Sequence, residues 1–155
     1  MFTYEPLERM IKENGDKYAE LQRELKLTSW LKNIHNQRTP LHSEDIAKLS
    51  WYYGVPARDF VEYDYEVLPC YDAVTVKFPD TDNPLISYKP FMDMYSGFQP
   101  EGRKSIVRYL SGMDDITAYS VMIRRLKNDK NMSMKTIHSI CKYLRCHLDN
   151  VLCYK

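Results

Sequence analysis

Apolar residues fall at helical spacing along most of the chain. Leu7, Met10 and Ile11 stand at i, i+3 and i+4, which predicts a first helix stopped near Asn14-Gly15. Asp16 caps a second helix with Tyr18, Leu21 and Leu25 on its apolar face and Glu20 and Glu24 towards solvent. A third helix follows Lys26-Leu27-Thr28, with Trp30, Leu31 and Ile34 inward, and ends at Arg38-Thr39-Pro40. The fourth starts at His42 or Ser43, holds Glu44 and Asp45 in its first turn, buries Ile46, Leu49, Ser50 and Tyr53, and stops at Gly54. Pro56 opens a short fifth helix holding Phe60 and Val61, and Tyr63 closes the unit.

The pattern changes over residues 64–87. Residues 73–78 alternate and are β-branched, which predicts a short strand, and Pro69, Pro79 and Pro84 mark turns. Then the helical pattern restarts. Tyr88-Lys89-Pro90-Phe91 echoes Tyr4-Glu5-Pro6-Leu7 at an offset of 84. At an offset of 91, Ile46, Leu49, Ser50, Tyr53, Val55, Phe60 and Tyr63 meet Ile137, Ile140, Cys141, Leu144, Cys146, Val151 and Tyr154. The second copy therefore carries about seven extra residues between Gly97 and Asp115. The expected architecture is all-α: an N-terminal domain over 1–65, a linker over 66–87 carrying a short strand or hairpin, and a C-terminal domain over 88–155.

Charge separates the two copies. The net formal charge is +1, yet residues 1–65 carry net −2, 66–87 net −3 and 88–155 net +6. An acidic front and a basic back point to a polyanion partner for the back alone. No apolar run reaches the roughly 20 residues of a membrane span, and charges throughout residues 1–20 argue against a signal peptide. Four Cys without framework spacing fit free thiols in a reducing cytoplasm.

Residues 88–91, 120–130 and 133–154 resemble the Cro/lambda-repressor-type helix-turn-helix family. The spacing of Ile140, Cys141, Leu144 and Cys146, followed by Asp149, Val151 and Tyr154, is most similar to its small five-helix bacterial and phage regulators. The first copy resembles the family more loosely, with Lys26 where the turn often has Gly. The resemblance implies two tandem five-helix helix-turn-helix domains. It also implies a recognition helix in the second copy over about 118–128, entering the major groove of double-stranded DNA. Ser120 falls where the family contacts base or phosphate, followed by Arg124, Arg125, Lys127 and Lys130. In the first copy the corresponding helix carries Lys32, Asn33, Gln37 and Arg38; Asn33 and Gln37 suit adenine, and Arg38 suits phosphate.

These readings converge on a transcription regulator, a phage or bacterial repressor, rather than an enzyme. No Ser/His/Asp or Cys/His constellation and no Gly-rich loop stands out. His138, Cys141, Cys146 and His147 form a superficially zinc-like set, but Cys141 lies on an apolar stripe and core packing is the stronger reading; no metal or cofactor is expected. Trp30 and Trp51 also lie on apolar stripes and are expected in the core. The alternative is a phage-type, anti-CRISPR-like inhibitor that keeps the fold and binds a host protein such as a nuclease. The acidic first copy suits that role, or dimerisation into a homodimer, and the thirteen Tyr suit an interface.

Overall fold

The helix that begins at Ser43 and the one that begins at Met134 meet at their N-termini, and this junction organises the molecule. The computed structural model describes residues 3–29, 31, 34, 41–71, 79, 81, 84–111 and 119–155. In these, α1 (Glu5–Glu13), α2 (Tyr18–Glu24) and α3 (Ser43–Tyr53) precede a 3-10 turn at Ala57–Phe60. A second 3-10 turn, Pro69–Tyr71, leads towards β1 (Ile86–Ser87). Then come α4 (Lys89–Gly97), α5 (Pro100–Ser111), α6 (Tyr119–Lys127), α7 (Met134–Leu144), a 3-10 turn at Leu148–Asn150 and β2 (Cys153–Tyr154). The described chain is thus mostly helical, with one two-stranded antiparallel sheet pairing Ile86 with Tyr154 and Ser87 with Cys153.

Local chemistry explains the helix ends. Pro6 and Pro90 sit in the first turns of α1 and α4, where a missing N–H costs nothing. Tyr4 and Tyr88 precede those helices at φ/ψ of −105°/22° and −100°/20°. The Ser133 hydroxyl caps α7 by accepting from the Lys135 N–H at 3.2 Å. Gly54 ends α3 at φ 64°, and Arg145, 91 residues later, ends α7 at φ 54°. The fifth helix expected after Pro56 is instead the four-residue 3-10 turn Ala57–Phe60, too short for α-helical bonding.

The 91-residue offset recurs in contacts. The Ser43 N–H donates to the Met132 carbonyl at 2.8 Å, and the Met134 N–H donates to the Leu41 carbonyl at 2.7 Å. Each bond is the counterpart of the other, so the two segments face each other about an approximate two-fold axis. The same axis brings Arg58 against its own counterpart, Asp149, at 3.3 Å. A single Thr3–Glu62 bridge does for the first half what β1–β2 does for the second.

One continuous core runs across the junction, from Leu7, Ile11, Leu31, Ile46, Leu49 and Phe60 to Phe91, Ile106, Leu126, Ile137, Ile140 and Val151. The start of the expected linker is held against α7. The Asp64 carboxylate contacts the His138 ring at 2.9 Å and the Lys142 ammonium at 2.8 Å, and the Leu68 N–H donates to the Arg145 carbonyl. The expected strand over residues 73–78 lies outside the described residues. Trp51 departs from expectation: it is 36% exposed, because the inward face of α3 is filled by Ile46, Ala47, Leu49 and Ser50. Tyr18 is equally exposed, leaving Leu21 as the buried anchor of α2.

Candidate nucleic-acid interface

Helix α6 is held by two residues. Met122 and Leu126, one turn apart, are buried, and this spacing turns the opposite face outward. Val121, Arg124, Arg125 and Asn128 then share one stripe at i, i+3, i+4 and i+7. Arg124, Arg125, Lys127 and Asn128 are exposed. Cations in the last turn complement the helix dipole. None of Arg124, Arg125, Lys127 and Lys130 has a salt-bridge partner among the described residues.

The chain after α6 is fixed by polar contacts to both halves. Asp129 takes the left-handed conformation at φ 51°. Its carboxylate accepts from the Tyr88 N–H at 2.9 Å and pairs with the Lys155 ammonium at 2.8 Å. Partial burial works against that charge, but the ammonium and the N–H outweigh it and hold the carboxyl below its ordinary value. The Tyr88 hydroxyl donates to the Lys130 carbonyl at 3.0 Å and lies 2.7 Å from the buried Ser43 hydroxyl, which accepts from the Met132 N–H at 3.1 Å. The Asn131 side-chain carbonyl accepts from the Glu44 N–H at 3.1 Å and from the Ser43 hydroxyl at 3.2 Å.

These contacts shape an open depression of about 650 Å³ lined by Glu44, Val121, Arg124, Arg125, Asn128, Lys130 and Asn131. One wall is the outward stripe of α6; the other is the first turn of α3. Arg124, Arg125 and Lys130 therefore meet in one place, as their sequence clustering implies, with Lys127 on the adjoining surface. Ser120 lies in the first turn of α6, and its side chain is outside the described residues. Lys32, Asn33, Gln37 and Arg38 are also outside the described residues, although Leu31 before them and Ile34 among them are buried. Glu44, Asn131 and Val121 were not expected at the site. Val121 comes with the α6 stripe, whereas only the meeting of α3 with the end of α6 puts Glu44 and Asn131 there, and no local motif encodes that meeting.

Other polar clusters have structural partners. The buried Asp45 carboxylate accepts from the Thr28 N–H at 2.8 Å, the Ser29 hydroxyl at 2.8 Å and the His42 N–H at 3.2 Å, tying the turn after α2 to α3. Cys141 and Cys146 are buried, and burial pushes the Cys141 thiol up, so Cys141 is not a ready thiolate. No group of three or more His, Cys, Asp or Glu side chains is placed to hold a metal ion among the described residues. No described helix is long and apolar enough to cross a membrane. No family model, characterised protein or solved structure matches the chain.

Proposed function

We propose that this chain is a DNA-binding transcription regulator of phage or bacterial type. In this reading it comprises two helix-turn-helix units in tandem and lays α6 in the major groove. The observation that carries the reading is the outward face of α6. It combines Arg124 and Arg125, without salt-bridge partners among the described residues, with Asn128, Lys127 and Lys130, on a helix anchored by Met122 and Leu126. Arg forks suit guanine O6 and N7, Asn suits adenine, and Lys suits phosphate. The reading rests on the charge and placement of α6.

The test is a salt titration of binding to random duplex DNA. On random duplex, where Arg124 and Arg125 rest on phosphate as Lys127 and Lys130 do, four phosphate contacts give a slope of log K against log salt of about −3.6, since each contributes roughly −0.9. Arg124→Ala with Arg125→Ala should reduce the slope by about 2 and abolish binding near physiological salt. Unchanged binding by the double variant overturns the assignment.

A second reading has one observation in its favour. Tyr18 and Tyr52 expose aromatic surface near Asp16, whose carboxylate accepts from the Tyr52 hydroxyl at 3.2 Å, and Trp51 is exposed next to Tyr52 on α3. Aromatic side chains at an acidic surface suit a protein partner, such as a host nuclease with a basic channel. Failure of the wild-type chain to bind any duplex at low salt favours this reading.

A further inference from the structure

Glu44 is the acidic residue lining a depression whose other described lining residues are three cations, two amides and Val121. A surface built only to grip phosphate has no use for it, because a carboxylate close to phosphate is repelled. It is not there to neutralise Arg124 or Arg125 either, for it forms no ion pair with them among the described residues. Its backbone is held firmly: the Glu44 N–H donates to the Asn131 carbonyl oxygen, and Asn131 is held in turn by the Ser43 hydroxyl. Glu44 belongs to the first half of the chain and α6 to the second, so the site is composite.

The depression is electrically polarised, with cations on the α6 wall and a carboxylate on the α3 wall. Base pairs differ in this respect at their major-groove edges. A G·C pair presents two acceptors on guanine and then the amino donor of cytosine, whereas an A·T pair places its donor between two acceptors. Only G·C carries its acceptors at one end and its donor at the other. We infer that Glu44 is a specificity-determining residue that accepts a hydrogen bond from the cytosine N4 amino group of a G·C pair whose guanine is held by Arg124 or Arg125. This rests on the DNA-binding reading and adds to it the base pair taken and a residue from the other half of the molecule.

The test uses the full-length chain and duplexes selected by it from a random library. Each G·C pair of the selected site is replaced in turn by A·T or by inosine·cytosine, which keeps the major-groove edge of G·C. For the wild type, one position should lose about tenfold in affinity on change to A·T and little on change to inosine·cytosine. In Glu44→Ala that preference should fall to about twofold or less, with affinity for random duplex equal or higher and the salt slope retained. Glu44→Gln, which keeps an acceptor without the charge, should keep most of the preference. Circular dichroism and thermal melting establish that both variants are folded. Retention of the tenfold preference by Glu44→Ala overturns the inference, as does an equal loss of affinity for every sequence. Wild-type binding to duplex without any such position overturns the inference and leaves the parent reading standing. No wild-type binding at low salt overturns both.

Discussion

At the scale of the residue, three non-glycine positions among the described residues adopt left-handed backbone: Lys26, Asp129 and Arg145. Asp129 and Arg145 have compensating side-chain contacts: Asp129 with Tyr88 and Lys155, and Arg145 donating to the Glu66 carbonyl at 3.1 Å. Lys26 is exposed, and what holds it is its carbonyl, which accepts from the Lys48 ammonium at 3.0 Å. Lys26→Gly keeps that carbonyl and removes the Cβ penalty of φ 52°. We expect the variant to be more stable by about 1 kcal/mol, measured as a higher urea midpoint at unchanged slope. A lower midpoint would show that the turn does not store this strain. The position of the turn was legible, because Lys26 sits between two apolar helices. Its conformation was not, because nothing in a lysine signals φ > 0. Asp45 repeats the lesson: placed by sequence at a helix start, it is also the buried acceptor for Thr28, Ser29 and His42, which only the fold brings together.

Between elements, the two 3-10 turns that close the halves meet through Arg58 and Asp149, each at the same place in its own half. Burial pushes the Asp149 carboxyl up to about 6, against the pull of the Arg58 guanidinium. Its folded pKa lies above its unfolded value near 3.9, so the folded state takes up the proton first as pH falls. Asp149 thus opposes folding at pH 7, and that opposition fades between about pH 6 and 4. His138 acts in the opposite sense. Burial lowers its pKa, outweighing the Asp64 carboxylate, so its contribution is present above pH 6.5 and is lost as pH falls below the unfolded value. Asp149→Asn removes the first effect and leaves the second. Thermal melts at pH 7, 6 and 5 should show the wild type gaining on Asp149→Asn as the pH drops; a constant difference would mean that Asp149 does not titrate in this window. Helices α1 to α3 were legible because their apolar residues repeat at 3.6, whereas α5, twelve residues long, falls in the stretch between Gly97 and Asp115 for which only extra length was expected. The β1–β2 pair was not legible either, since two residues per strand offer no period, and its partners lie 66 positions apart at Ser87 and Cys153 and 68 apart at Ile86 and Tyr154.

Across the whole molecule, the repeat in sequence and the unity of the core pull in different directions. The repeat invites a picture of two beads on a linker. Yet Tyr65 donates to the Cys146 carbonyl at 2.7 Å, the Tyr63 hydroxyl accepts from the Leu148 N–H at 3.0 Å, and the Ser43 and Met134 N–H groups donate to the Met132 and Leu41 carbonyls across the axis. Each half supplies groups that the other would otherwise leave as buried, unpaired donors or acceptors, which costs about 1–3 kcal/mol per group. Opposite charges at Arg58 and Asp149 also differentiate the halves, because two copies of either alone would set like charges face to face. The composite depression depends on this arrangement, with Glu44 from one half and α6 from the other. Such a molecule should unfold in one step. Calorimetry should give a single transition whose calorimetric and van't Hoff enthalpies agree. Leu7→Ala, at a fully buried site remote from α6, should cost about 2–5 kcal/mol and move the whole transition down without splitting it. Two resolved transitions, with only the earlier one shifted by Leu7→Ala, would show that the halves fold independently and that the junction at Ser43 and Met134 is a contact rather than a shared core.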